Sequence, residues 1–124
     1  MIRNIALMRI AIGVISYLAP RLGGRLFGLD VSGNPQAPYL ARLFGVRDLA
    51  LGVGALQSSG TAQKQWLQFG MACDIADAFA ALFGRRDGTL PVPATLLVGG
   101  AAVAAAAMSA AALGEVDQAP SSSA

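Results

Sequence analysis

The chain has 124 residues, of which 55% are hydrophobic and 13% charged, with a net charge of +2. Soluble domains average about 25% charged residues, so one all-α integral membrane domain is the expected class and a very apolar soluble bundle the lesser alternative. Scattered cations argue against a nucleic-acid surface; with no histidine and Cys73 the only cysteine, no disulfide, zinc site, serine-histidine triad or other cofactor is expected.

Residues 2–18 are apolar apart from Arg3, Asn4, Arg9 and Ser16. Arg9 interrupts the apolar run and no small-x-small cleavage site follows, which favours a retained first transmembrane helix over a signal peptide. At 100° per residue, Arg9, Gly13, Ser16 and Tyr17 form a polar and small strip suited to facing protein. Snorkelling to a nearby interface is the plainer reading of Arg9. Pro20 ends the helix. Arg21 and Arg25 then alternate with Leu22, Leu26, Phe27 and Leu29, a pattern for a short interfacial turn. Ser32-Gly33-Asn34-Pro35 is a loop, and Pro35 and Pro38 suit the first turn of the next helix.

The second helix, 39–56, contradicts itself: it is apolar yet carries Arg42, Arg47 and Asp48. A central Arg or Asp costs about 2.5–3.5 kcal/mol on insertion, while each Leu, Phe or Val returns about 0.3–0.6. The helix should therefore need partners. Gly45, Asp48, Gly52 and Ala55 share a face where a neighbouring backbone can come close. Arg47 points away from that face, so it and Asp48 need different partners or a shared cavity. Arg42, nearer one end, is expected to join the buried polar group or to snorkel.

The pattern Arg42-x-x-Gly45-x-Arg47-Asp48-x-x-x-Gly52, with Arg9-x-x-x-Gly13 and Pro20 before it, resembles the domain of unknown function 4267 family, small four-helix membrane proteins loosely akin to DoxX. The resemblance spans roughly residues 5–83. It implies four transmembrane helices and no established activity.

Ser58-Ser59-Gly60-Thr61 is a polar loop, and Lys64 and Trp66 mark an interface. In the third helix, 66–83, Gly70, Asp74, Asp77 and Ala81 share a face. Asp74 and Asp77, one turn apart, are either acceptors for Arg9 and Arg47 or a proton-holding pair, because like charges that close raise one pKa. Cys73 reads as a small apolar residue. Leu-Phe-Gly recurs at 26–28, 43–45 and 82–84 with unequal spacing, and is no repeat. The last helix, 91–113, is alanine-rich, with Thr95, Gly99, Ala102, Ala106 and Ser109 on one stripe for packing against another helix or subunit. Residues 114–124 are expected to be disordered.

The expected architecture is thus a four-transmembrane-helix bundle over 1–113, packed through Gly13, Gly45, Gly52, Gly70 and Gly99. Its buried cluster is Arg9, Arg42, Arg47, Asp48, Asp74 and Asp77, three positive against three negative. Such balance suits paired burial, and also a proton relay or anchored substrate. A structural or accessory subunit of a membrane complex is the first expectation, with the lipid bilayer and a homo-oligomer or larger assembly as partners. The alternatives are a proton-coupled small-molecule transporter and an intramembrane acid/base enzyme. Enzyme chemistry is disfavoured because acid catalysis needs a carboxyl free of arginine; no catalytic residue or metal ligand is assigned. By the positive-inside rule, Arg21, Arg25, Arg85 and Arg86 mark the cytoplasmic side of the cell membrane, leaving both termini outside.

Overall fold

In a computed structural model, residues 1–118 form five helices. Helix α1 spans Ile2–Leu18, and Pro20 takes the first position of the next helix rather than interrupting one, so the short α2, Pro20–Leu26, follows after a single residue. Gly28, at φ +74°, turns the chain out of α2, and Val31 then folds back onto Gly24. The Asp30 carboxylate accepts bonds from the Ser32 hydroxyl at 2.9 Å and from the backbone N–H of Ser32 and Gly33, each at 3.1 Å. Those bonds, that of Gly33 foremost, hold the Asp30 carboxyl below its ordinary range.

Helix α3, Ala37–Gln57, ends where the Ser58 hydroxyl donates to the Gly54 carbonyl at 2.6 Å and the Gln63 amide donates to that of Ala55 at 3.1 Å. Two residues later α4 begins, spanning Gly60–Arg86, and α5 spans Val92–Gln118. Both outrun the lengths expected from hydropathy. Residues 60–65 are helical, and 114–118 continue α5 instead of forming a disordered tail. The two extensions support each other: Val116 packs against the cluster of Ile5, Leu67 and Ala112, and Lys64 bonds Asp117 at 2.6 Å. The remainder of the expected tail lies outside the described residues.

The four long helices run alternately up and down. Helix α1 lies along α3, and α4 along α5. A Cβ on Gly13 would sit 2.6 Å from the Gly45 carbonyl oxygen, and one on Gly52 would sit 2.7 Å from that of Ala6. Glycine there lets the α1 and α3 backbones touch. The two hairpins meet more sparingly: α3 borders α4, α1 touches α5, and the backbones of α1 and α4 stay apart. Ile5, Leu67 and Ala112, backed by Ile2, Leu113 and Val116, pinch the bundle at one end. At the other end the hairpins splay and the loop after α2 bridges them, a Cβ on Gly28 lying 2.9 Å from Leu97 Cδ1 and 3.4 Å from Ala94 Cα.

The apolar side chains are distributed inside out. Phe69, Phe79, Phe83, Leu96 and Val103 are exposed, whereas Arg9, Asp48 and Asp74 are buried. Helices α4 and α5 are each long and apolar enough to cross a membrane. At 17 residues α1 is shorter, and α3 carries three charges within its span.

Candidate functional site

The splayed hairpins flank a cleft of about 850 Å³ whose charged lining is Arg9, Asp30, Asp48, Asp74 and Asp77. Arg9 projects from the middle of α1 on the same strip as Gly13 and Ser16, and all three are buried. Tyr17, on that strip by spacing, is exposed, because α1 ends one residue later.

The Arg9 guanidinium forks onto Asp74. Nη2 donates to one carboxylate oxygen and Nη1 to the other at 3.3 Å. Nη1 also reaches Asp48 Oδ1 at 3.4 Å. Gly70, one turn before Asp74, supplies the room: a Cβ there would lie 3.0 Å from Arg9 Nη2. Gly70 therefore makes space for the guanidinium and not, as its spacing suggests, for a neighbouring backbone. Gly99 departs from expectation too, since a Cβ on it would meet only Ala81 Cβ, at an ordinary 3.5 Å.

Arg47 makes the second fork, donating to the two Asp77 oxygens at 3.0 and 2.6 Å. Its guanidinium lies over the Phe44 ring, 4.8 Å from the centroid. Successive residues on a helix diverge by about 100°, so Arg47 leaves α3 toward α4 while Asp48 faces α1. Their side chains still approach to 3.6 Å. Asp74 and Asp77, three residues apart on α4, thus take one arginine from each helix of the opposing hairpin.

Arg42 does not belong to this group. It is exposed, and its Nε donates to the Tyr17 carbonyl at 3.2 Å. A cation at that last turn of α1 completes a free carbonyl and meets the negative end of the helix dipole. Without Arg42, the expected three-against-three balance fails. Two guanidiniums face three carboxylates, and one negative charge is in excess.

The surplus falls on Asp48. Both arginines commit their forks to other carboxylates, and Asp48 is left the 3.4 Å bond from Arg9 and the 3.6 Å approach of Arg47. Both contacts use Oδ1. Among the described residues nothing donates to Oδ2. The residue is nonetheless only 4% exposed.

The apolar lining includes Phe27, Phe44, Ala102, Ala105 and Met108. Ala102 belongs to the small-residue stripe and Phe27 to the expected interfacial turn, while Phe44 sits four residues before Asp48 on the same face of α3; Ala105 and Met108 carried no signal. Among the described residues no three His, Cys, Asp or Glu side chains are placed to hold a metal ion. Chemically, the arrangement can pair charges, hold a proton or receive a cation. No family model matches the chain, and neither a curated protein nor a solved structure similar to it was found.

Proposed function

We propose that the protein is a multi-pass integral membrane protein, a bundle of four spans formed by α1, α3, α4 and α5, that carries a small molecule in the cleft between its hairpins in exchange for protons. The observation that carries this reading is the unbalanced charge on Asp48 inside a roomy cleft. A purely structural ion network gains by closing all its pairs, since a lone buried charge keeps its desolvation cost. Here one carboxylate is left half-partnered beside empty space.

The inside-out placement of exposed phenylalanine and leucine around buried arginine and aspartate supports the bilayer as surroundings. With Arg21, Arg25, Arg85 and Arg86 clustered at the splayed end, that end would face the cytoplasm of the cell membrane and both termini the outside. Kinship with the small four-helix family that the Arg9-to-Gly52 pattern resembles belongs to the same proposal.

A second reading, an accessory subunit of a larger membrane complex or homo-oligomer, is favoured by α5. Its outward face is mostly small, with Gly100, Ala107 and Ala111 exposed, and small residues allow another helix to come close. Intramembrane acid catalysis is the least supported, because Asp74 and Asp77 are each held by an arginine fork.

The deciding experiment places the purified chain in liposomes with an inward or outward pH gradient and measures flux of a panel of small amphipathic solutes. Solute flux that reverses with the gradient supports the carrier. No flux in either direction, with a stoichiometric partner recovered in mild detergent, establishes the accessory subunit instead.

A further inference from the structure

We infer that the cleft is a binding site for an amphipathic monocation, an ammonium group on an apolar body, with Asp48 as its anchor. This deepens the carrier reading and rests on it for the direction of travel. The site itself stands on three features of the cleft.

The first is charge. Beside the Arg9–Asp74 and Arg47–Asp77 forks, two lining carboxylates have no arginine fork: Asp30, satisfied by Ser32 and Gly33 in its exposed turn, and Asp48, which is nearly fully buried. An ionised carboxylate out of water needs a counter-charge or hydrogen-bond donors. The protein supplies Asp48 with one long bond to Oδ1 and none, among the described residues, to Oδ2. An N–H of an ammonium would supply both the charge and the missing donor.

The second is the wall. Val98, Ala102, Ala105 and Met108 of α5 face the cleft, and Phe27 and Phe44 lie edge to face, 6.1 Å between centroids, on its other side. Such walls take an apolar body, and the Phe44 ring already carries one cation, the Arg47 guanidinium. They offer nothing to an inorganic ion that must keep its hydration shell or exchange it for converging oxygens.

The third is size. At about 850 Å³ the cleft falls within the range of about 300–1,000 Å³ typical of small-molecule sites. An anion is repelled by the excess charge. A neutral solute can offer Asp48 a donor but no counter-charge. The monocation is the class that uses every feature at once.

The test titrates naphthylethylammonium into the purified full chain in nanodiscs, following naphthyl fluorescence, with naphthylethanol and naphthylacetate as neutral and anionic matches. Saturable binding is expected for the cation, at least tenfold tighter than for the alcohol, and none for the carboxylate. Asp48→Asn should weaken the cation at least tenfold. Equal affinity for the alcohol, or unchanged affinity in Asp48→Asn, overturns the inference; the latter would mean that a proton, not a ligand, satisfies Asp48. If Asp48→Asn does not yield monodisperse protein, Ala105→Phe decides, because it fills the cleft and leaves the ion network intact. Loss of binding in Ala105→Phe supports the site, and retained affinity overturns it. Uptake of the same cation into proteoliposomes is scored separately. Binding without uptake removes the carrier reading and keeps the site, whereas absent binding removes the site whatever the uptake.

Discussion

Arg9 on α1 grips Asp74 on α4 although the backbones of those two helices never come close. At mid-height the guanidinium spans the diagonal of the bundle, so α1 is tied to α4 there by this ion pair and not by backbone packing, while Arg47–Asp77 joins α3 to α4 beside it. Breaking one side leaves an uncompensated buried charge. Arg9→Leu and Asp74→Leu are each expected to cost about 3–5 kcal/mol, seen as loss of monodisperse protein on size-exclusion chromatography. Arg9→Leu combined with Asp74→Leu should recover much of the yield. A double variant no better than the singles would show that Arg9 is held chiefly by Asp48.

Arg42 and Arg47 lie five residues apart on one helix and should behave differently. Arg42→Gln is expected to change stability by under about 1 kcal/mol, as for exposed charges. Arg47→Gln strips Asp77 of its fork and should produce a loss several times larger. Thermal denaturation of the two variants side by side gives the comparison.

Gly13 and Gly99 are both on helices, yet only one has no room. Gly13→Ala forces a methyl group against the Gly45 carbonyl and the backbone of Leu49, at 2.6 and 2.7 Å. Backbone cannot swing aside like a side chain, so a loss of about 1–3 kcal/mol or more is expected. Gly99→Ala makes an ordinary contact and should be neutral or slightly stabilising through helix propensity. A melting-temperature shift in the same direction for both variants would contradict this packing.

The Asp30 turn carries a pH signature outside the spans. A carboxyl whose folded pKa is depressed contributes stability above its unfolded pKa and loses it as pH falls through the folded value. The Ser32 and Gly33 amide resonances should therefore shift together on acidification, with a midpoint below the ordinary carboxylate range. Asp30→Ala should remove the transition and loosen the Val31 contact with Gly24. A midpoint at the ordinary value would mean the turn is open in solution.

The proposed orientation puts the arginines of the splayed end in the cytoplasm. A reporter active only in the cytoplasm is expected to be silent at either terminus and active when inserted at Gly88, an exposed glycine at φ +75° in the turn before α5. Activity at the C-terminus would reverse the assignment.

Periodicity exposed part of this arrangement and missed another part, for physical reasons. Spacing on α1 and α3 placed Arg9, Gly13, Gly45, Asp48 and Gly52 on inward faces, because a helix repeats rigidly over its length. The ends of α4 and α5 were not legible. The polar start of α4 and the polar last turn of α5 are held by one another, through Lys64–Asp117 and Val116 against the Ile5–Leu67–Ala112 cluster, and tertiary contacts leave no mark on local composition. The displacement of Arg42 was hidden for a similar reason: its acceptor is a carbonyl 25 residues away at the end of another helix. Cleft volume depends on how far two hairpins splay, a quantity no residue count contains.

The link between the hairpins, Ser58 and Ser59, lies at the same end as the Ile5–Leu67–Ala112 plug. The opposite end is fastened as well, because Gly28 of the loop after α2 lies against Ala94 and Leu97 of α5. The cleft is therefore buckled at both ends, and widening it beside the arginine loops means lifting that loop off α5. Spin labels at Gly33 and on the first turn of α5 would register the lift, which labels at Lys64 and Asp117 would miss.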